Sequence, residues 1–333
     1  MRSVKARRTA SLAAALALSC ALGPLAFAQD ASVAEQTVNV MNKMWGVHPQ
    51  YRANHAKGVV AEGSFTPTKD AASLSKAALF AGPAIPLTAR FSDATGLPHI
   101  GDGSAQASPH GMAVKFHLPD GSDVDMVDNS LAFFPVANGE EFLQLLQAAS
   151  VSGPDAPKPT KLDAFFASHP QAPKAFGSTT TPTSFARETY NGIDAFIFVN
   201  ADGKRQPFRF QVVPEDGAEH MSAAESDKQK PDFLVDELPA RLAKGPVKFH
   251  LKAQLANPGD QTKDPTQPWP SDRKVVELGT ITLTKAAAGN DAAQKALLFL
   301  PNNLTDGIEV SDDPLIDARN QAYAVSYGRR AQQ

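Results

Sequence analysis

Cysteine is almost missing: the 333 residues contain one, Cys20. It falls within Met1 to Ala28, where Lys5, Arg7 and Arg8 precede an apolar Ala/Leu run and then Ala26-Phe27-Ala28, the pattern of a cleavable secretory signal. The flanks of Cys20 (Ala17, Leu18, Ser19) make a poor lipid-attachment box, so no membrane anchor is expected. The paired Arg7 and Arg8 leave both general and twin-arginine export open. A mature chain starting at Gln29 has no thiol, which excludes disulfides, cysteine nucleophiles and cysteine-held metals. It suits an oxidising compartment, so a periplasmic or secreted location is expected. Also lacking is any Lys/Arg tract beyond the first few residues. With a formal net charge of -3 and a pI near 6.2, nucleic acid and anionic membranes are poor candidate partners, and a small molecule is expected instead. No internal repeat is visible, and 42% hydrophobic content supports a single domain over residues 29–333.

What is present reads as strands with helical insertions. Ser32 to Trp45 has the spacing of an amphipathic helix, and Val59 to Thr66 reads as a strand. Asp70 to Phe80 is an Ala-rich helix by pattern, and Leu87 to Phe91 a strand introduced by Pro86. Met112 to Leu118 and Asp123 to Val127 flank the turn Pro119-Asp120-Gly121; Ala195 to Asn200 and Pro207 to Val213 bracket Ala201-Asp202-Gly203-Lys204. Strands at Val247 to Leu255 and Val275 to Thr284 bring the total to about eight, enough to close an antiparallel barrel that holds one ligand, with helices around it: an α+β fold. Helices are expected near Leu162 to Ala167, Phe233 to Ala243 and Ala292 to Phe299. At the end of the chain, Asp313 can cap, Pro314 suits the first helical position, and Gly328 offers a left-handed stop.

That last helix carries Arg319, Tyr323 and Tyr327 on one stripe, with Arg330 nearly aligned. At four-residue spacing a guanidinium reaches a phenol oxygen, and a fixed positive charge favours the phenolate, which is an iron ligand. His55 lies in a short Gly-terminated run with Arg52 three residues before it, whereas the other seven histidines read as structural or solvated. On the strand Leu87 to Phe91, alternation sends Arg90 and Ser92 to one face and Ala89 and Phe91 to the other. The chain thus offers several arginines for a dianionic ligand, an imidazole for acid/base work and a phenol for iron.

These residues resemble the haem catalases, and more closely the small exported bacterial catalase-related peroxidases. The distal segment Arg52 to Gly58 contains HAKG; Arg90-Phe91-Ser92 resembles the RFS strand, and Gly111 to Phe116 the GFAVKF strand. Phe133-Phe134, Asn200 to Gly203, and the Arg319/Tyr323 pair follow in the family's order. The resemblance implies an eight-stranded haem barrel without the catalases' C-terminal helical domain. It implies a haem, expected as haem b, with Tyr323 as proximal iron ligand and Arg319 keeping it ionised. By the same likeness His55 is the distal acid/base, Ser92 orients it, Phe133 packs near the haem, and Arg52, Arg90 and Arg330 bind its propionates. The family's distal Asn corresponds to Asn129 when aligned from the left and Asp128 stands there when aligned from the right. The function implied is peroxidase reduction of hydrogen peroxide or organic hydroperoxides through a ferryl intermediate. A small electron donor takes part, catalase activity is weak, and the role is oxidative-stress defence. A hydroperoxide isomerase or dehydratase, or a non-enzymatic haem binder, are the alternatives. A monomer or small homo-oligomer is expected.

Overall fold

In the computed structural model, described for residues 31–332, ten strands form one sheet. They are β1 (Gly58–Pro67), β2 (Ile85–Ser92), β3 (Gly111–His117), β4 (Asp123–Asn129), β5 (Tyr190–Asn191), β6 (Phe196–Val199), β7 (Arg205–Pro214), β8 (Val247–Leu255), β9 (Val275–Ala286) and β10 (Ile308–Val310). All pairings are antiparallel, and β7 pairs with β8 to close the ring β7-β5-β4-β3-β2-β1-β9-β8. The closed barrel therefore has eight strands, with one substitution against the sequence expectation. The Phe-rich β6 pairs alongside β7 outside the ring and carries β10, while the two-residue β5 completes the circle. The segment expected to be a signal peptide, with Cys20 in it, lies outside the described residues.

The barrel interior is filled rather than hollow. Phe65, Phe91, Phe116, Phe198, Phe208 and Phe249 are all fully buried in one core, and Phe198 stacks on Phe208 with centroids 3.5 Å apart. Each such ring contributes about 1.5–3 kcal/mol by leaving water. This corrects the expectation of a ligand inside the barrel. Alternation on β2 places Ala89 and Phe91 in that core, so Arg90 and Ser92 project from the outer wall.

Outside that wall pack α1 (Val33–Trp45), α2 (Lys69–Leu74), α3 (Gly139–Ala149), α4 (Lys161–Ser168), α5 (Gln171–Phe176), α6 (Ala223–Ser226), α7 (Phe233–Leu242), α8 (Asn290–Ala296) and α9 (Pro314–Ala331). Helix α1 starts at a capping box in which Ser32 and Glu35 satisfy each other's backbone NH groups. The helix expected over Asp70 to Phe80 breaks after Leu74. There Ser75 turns extended and its hydroxyl donates to the Gly307 carbonyl (2.7 Å), and only a short 3-10 turn, Ala78–Phe80, follows. The helix expected to reach Phe299 stops at Ala296, with Leu297 extended. Gly328 does not stop the last helix: α9 runs through it to Ala331, and the added turn buries Arg330.

Candidate active site

Between the outer barrel wall and the helices α1 and α9 lies a cavity of about 490 Å³. His55, Arg90, Ser92 and Asn129 line it from the barrel side, and Arg319, Tyr323 and Arg330 from α9. Its walls are mostly apolar, including Met41, Leu131, Phe134, Leu298 and Phe299. Most of the motifs scattered over the sequence thus converge on one space. Asn200 to Gly203 does not, forming the β6–β7 turn, and the neighbouring Phe134, not Phe133, forms the wall.

His55 occupies a left-handed backbone conformation (φ 54°), a strained position that costs about 1–3 kcal/mol for a residue with a side chain. Several contacts hold it there. Its Nδ1 is 3.1 Å from Ser92 Oγ, and its carbonyl accepts from Arg90 Nη2 at 2.8 Å. The imidazole also lies close against β3. A Cβ at Gly111 would stand 2.9 Å from Ser92 Oγ and 3.2 Å from His55 Nδ1, so only glycine leaves the ring its place. At Gly58 a Cβ would meet the Phe91 carbonyl at 2.2 Å, which fixes glycine at the end of the HAKG run. Burial, and then the charges of Arg90, Arg319 and Arg52, push the His55 pKa down to about 3. The ring is therefore neutral near pH 7.

Asn129 and Asp128 both line the cavity, and strand register distinguishes their positions. Ser92 pairs with Gly111 and Gly111 with Asn129, which puts Asn129 in the same cross-strand row as Ser92 with only glycine between. Its Oδ1 accepts from the Leu131 amide (2.8 Å), and no acceptor among the described residues takes its Nδ2. Asp128 falls on the opposite, buried side of β4, where burial raises its pKa to about 7 against the opposing charge of Arg319.

On α9, Arg319 Nε donates to Tyr323 Oη at 3.1 Å, as the four-residue spacing implies. The rest of the guanidinium is anchored across the molecule: Nη1 forms a buried ion pair with Asp194, and Nη2 donates to the Val127 carbonyl at 2.9 Å. Asp194 drives the Arg319 pKa upward despite burial. Sequence reasoning missed Asp194, which carries no motif; only its place just ahead of β6 brings it to the last helix.

Arg52, Arg90 and Arg330 converge at another part of the cavity. Arg52 donates to the carbonyls of Gln294 (3.1 Å) and Leu297 (2.8 Å), Arg330 shares the Leu297 carbonyl (2.5 Å), and Arg90 Nε and Nη2 both reach Gln294 Oε1 (3.0 and 2.8 Å). Gln294 and the extended Leu297, also missed from sequence, meet these arginines at the end of α8. None of the three arginines forms an ion pair among the described residues, and Arg330 Nε is buried without a partner. Burial lowers all three pKa values, Arg90 to about 9, Arg330 to about 10 and Arg52 well below its usual value; repulsion from neighbouring arginines adds to the shift at Arg52 and Arg90. Three buried cations without a carboxylate are a site for an external dianion. Together with a phenol held by a guanidinium and apolar walls, they fit a haem: Tyr323 would bind iron, and the three arginines its propionates.

A catalase family model matches residues 26–331. The chain is 36% identical to a catalase-related peroxidase of Mycolicibacterium paratuberculosis over 296 residues, covering 88% of this chain and 93% of the relative. It is also 36% identical to one of Synechococcus elongatus over 324 residues, 95% and 94% of the two chains. Among solved structures, a bacterial catalase superposes with a TM-score of 0.76 at 23% identity, covering 85% of this chain and 58% of that one. A fungal catalase does so with a TM-score of 0.77 at 20% identity, covering 86% and 60%. Motifs, barrel and cavity thus agree with the sequence match: this chain belongs to the catalase family.

Proposed function

We propose that this peroxide-metabolising oxidoreductase is a haem b peroxidase. It reduces hydrogen peroxide or organic hydroperoxides with electrons from a small donor, releases little oxygen, and serves oxidative-stress defence outside the cytoplasm. The leader-like first 28 residues and the absence of any later cysteine support the export reading. The observation that carries the catalytic reading is the His55–Ser92 pair, set against Gly111 in register with Asn129, in the same cavity as Arg319–Tyr323.

A haem bound there would supply, from its iron and its ring together, the two electrons that cleave the O–O bond. The chain's own residues manage protons and position. With Nδ1–H donated to Ser92 Oγ, His55 Nε2 keeps a lone pair, and the depressed pKa keeps it free at neutral pH. Nε2 takes a proton from one peroxide oxygen and returns it to the other, which leaves as water or an alcohol rather than as an anion. Asn129 Nδ2 is placed to donate to the peroxide and align it. Ser92 and Gly111 hold the imidazole in its row, and Arg319 holds the phenol of Tyr323. A simple haem carrier needs the phenol and the arginines but gains nothing from a strained His55 tied to Ser92.

A side-by-side assay of the haem-loaded protein tests this. With peroxide and an aromatic donor present, donor oxidation should outpace oxygen release. Oxygen release exceeding donor oxidation would identify a catalase, and neither would leave a carrier.

A further inference from the structure

A second cavity, of about 390 Å³, adjoins the first and plays no part in peroxide cleavage. Val38, Arg52, Ala53, Ser326 and Arg330 line both spaces, so one layer of residues separates them. The outer space adds Val47, His48, Tyr51 and Arg329. Its charge is distinctive. Arg52, Arg90 and Arg330 bring three positive charges to a ligand whose two propionates neutralise two. Arg329 adds another; it forms no hydrogen bond or ion pair among the described residues, and the carboxylate that feels its charge, Glu35 at the start of α1, is held in the capping box with Ser32. Among the described residues, no carboxylate side chain lines this second cavity. Its other surfaces are the rings of Tyr51 and His48 and the side chain of Val47, which is 60% exposed.

Resting on the haem peroxidase reading above, we propose that this second cavity binds the reducing substrate, and that the substrate is a small aromatic anion such as a carboxylated phenol. Its carboxylate sits on Arg329 and the spare charge of Arg52 and Arg330. Its ring lies on Tyr51 and His48, at the edge of the haem site rather than in the peroxide pocket. The electron balance is complete: one hydroperoxide and two phenols give an alcohol, water and two phenoxyl radicals. Each phenol loses one electron and one proton, and the peroxide takes both pairs. A separate donor site also leaves the mostly apolar first cavity to the hydroperoxide while a bulkier reductant is used.

The test uses three phenols with the same ring and different charge: 3-(4-hydroxyphenyl)propionate, 4-ethylphenol and tyramine. The haem-loaded wild type should oxidise the anion with a kcat/KM at least tenfold above that of the cation. Arg329→Glu should lower that ratio tenfold or more, and Arg329→Lys should retain it. A wild type without charge preference, or an Arg329→Glu ratio equal to the wild type's, overturns the proposal. Reaction with peroxide alone, without donor, checks the peroxidase reading separately. Equilibrium binding of 3-(4-hydroxyphenyl)propionate by the same holoproteins needs no turnover: binding that weakens tenfold in Arg329→Glu supports the pocket even if turnover is absent. Binding that ignores the substitution refutes it.

Discussion

Asp194 and Arg319 stand 125 positions apart in the chain and form a buried ion pair, whose guanidinium also donates to the Tyr323 oxygen. The pair links the barrel end to the last helix and sets the rotamer from which Arg319 reaches the phenol. Replacing one partner leaves the other charge buried and unpaired, so Asp194→Asn should destabilise the protein by about 3–5 kcal/mol. Urea unfolding of the haem-free protein measures this directly. A midpoint equal to the wild type's would show that the pair does not anchor the helix.

His55→Ala should bind haem normally and react with peroxide about 10²–10⁴-fold more slowly, the usual contribution of a positioned acid/base. Stopped-flow mixing with peroxide measures the rate, and the unchanged visible spectrum before mixing verifies the site. A variant as fast as the wild type would assign the proton transfer to another group.

Gly111→Ala puts a methyl group 2.9 Å from Ser92 Oγ and 3.2 Å from the His55 ring, and overpacking of this kind costs about 1–3 kcal/mol. The peroxide reaction should slow with it, since the imidazole must move out of the Ser92–Asn129 row. Gly82→Ala, where a Cβ would meet nothing within 4 Å, is the control and should leave both properties unaltered. Equal behaviour of the two variants would contradict the packing assigned to Gly111.

His110 is fully buried with both ring nitrogens unpartnered, 3.7 Å from Asp93, and burial lowers its pKa to about 3. Between the ordinary value of about 6.5 and about 3, the unfolded chain takes up a proton that the folded one refuses. The wild type should therefore be at full strength above pH ~6.5 in this respect and lose stability as pH falls. The stability of His110→Leu relative to the wild type should rise by up to about 1.4 kcal/mol per pH unit in that window. A pH-independent difference in denaturation free energy would refute it.

Much of this site is visible in the sequence because its parts are local. Arg90 and Ser92 share a face by alternation, Arg319 reaches Tyr323 by helical spacing, and HAKG begins at His55. What alternation does not reveal is which face of β2 looks inward. The closed barrel takes Ala89 and Phe91 for its core and leaves the polar face outside, so the cavity lies behind the wall instead of within it. The partners missed are tertiary ones. Asp194, Gln294 and the Leu297 carbonyl meet their arginines only after the chain closes, and no short spacing encodes them. The last helix passes Gly328 for a similar reason: the burial of Arg330 against Leu297 draws the last turn past a residue that alone would favour stopping.

The absorption spectrum of haem-loaded wild type and Tyr323→Phe tests most directly whether Tyr323 holds a haem on which His55 acts. The wild type should show a high-spin ferric Soret band that shifts at once on adding hydrogen peroxide, and Tyr323→Phe should lose both the band and the response. A Tyr323→Phe protein with the wild-type spectrum and the same peroxide response would contradict the assignment of the iron ligand.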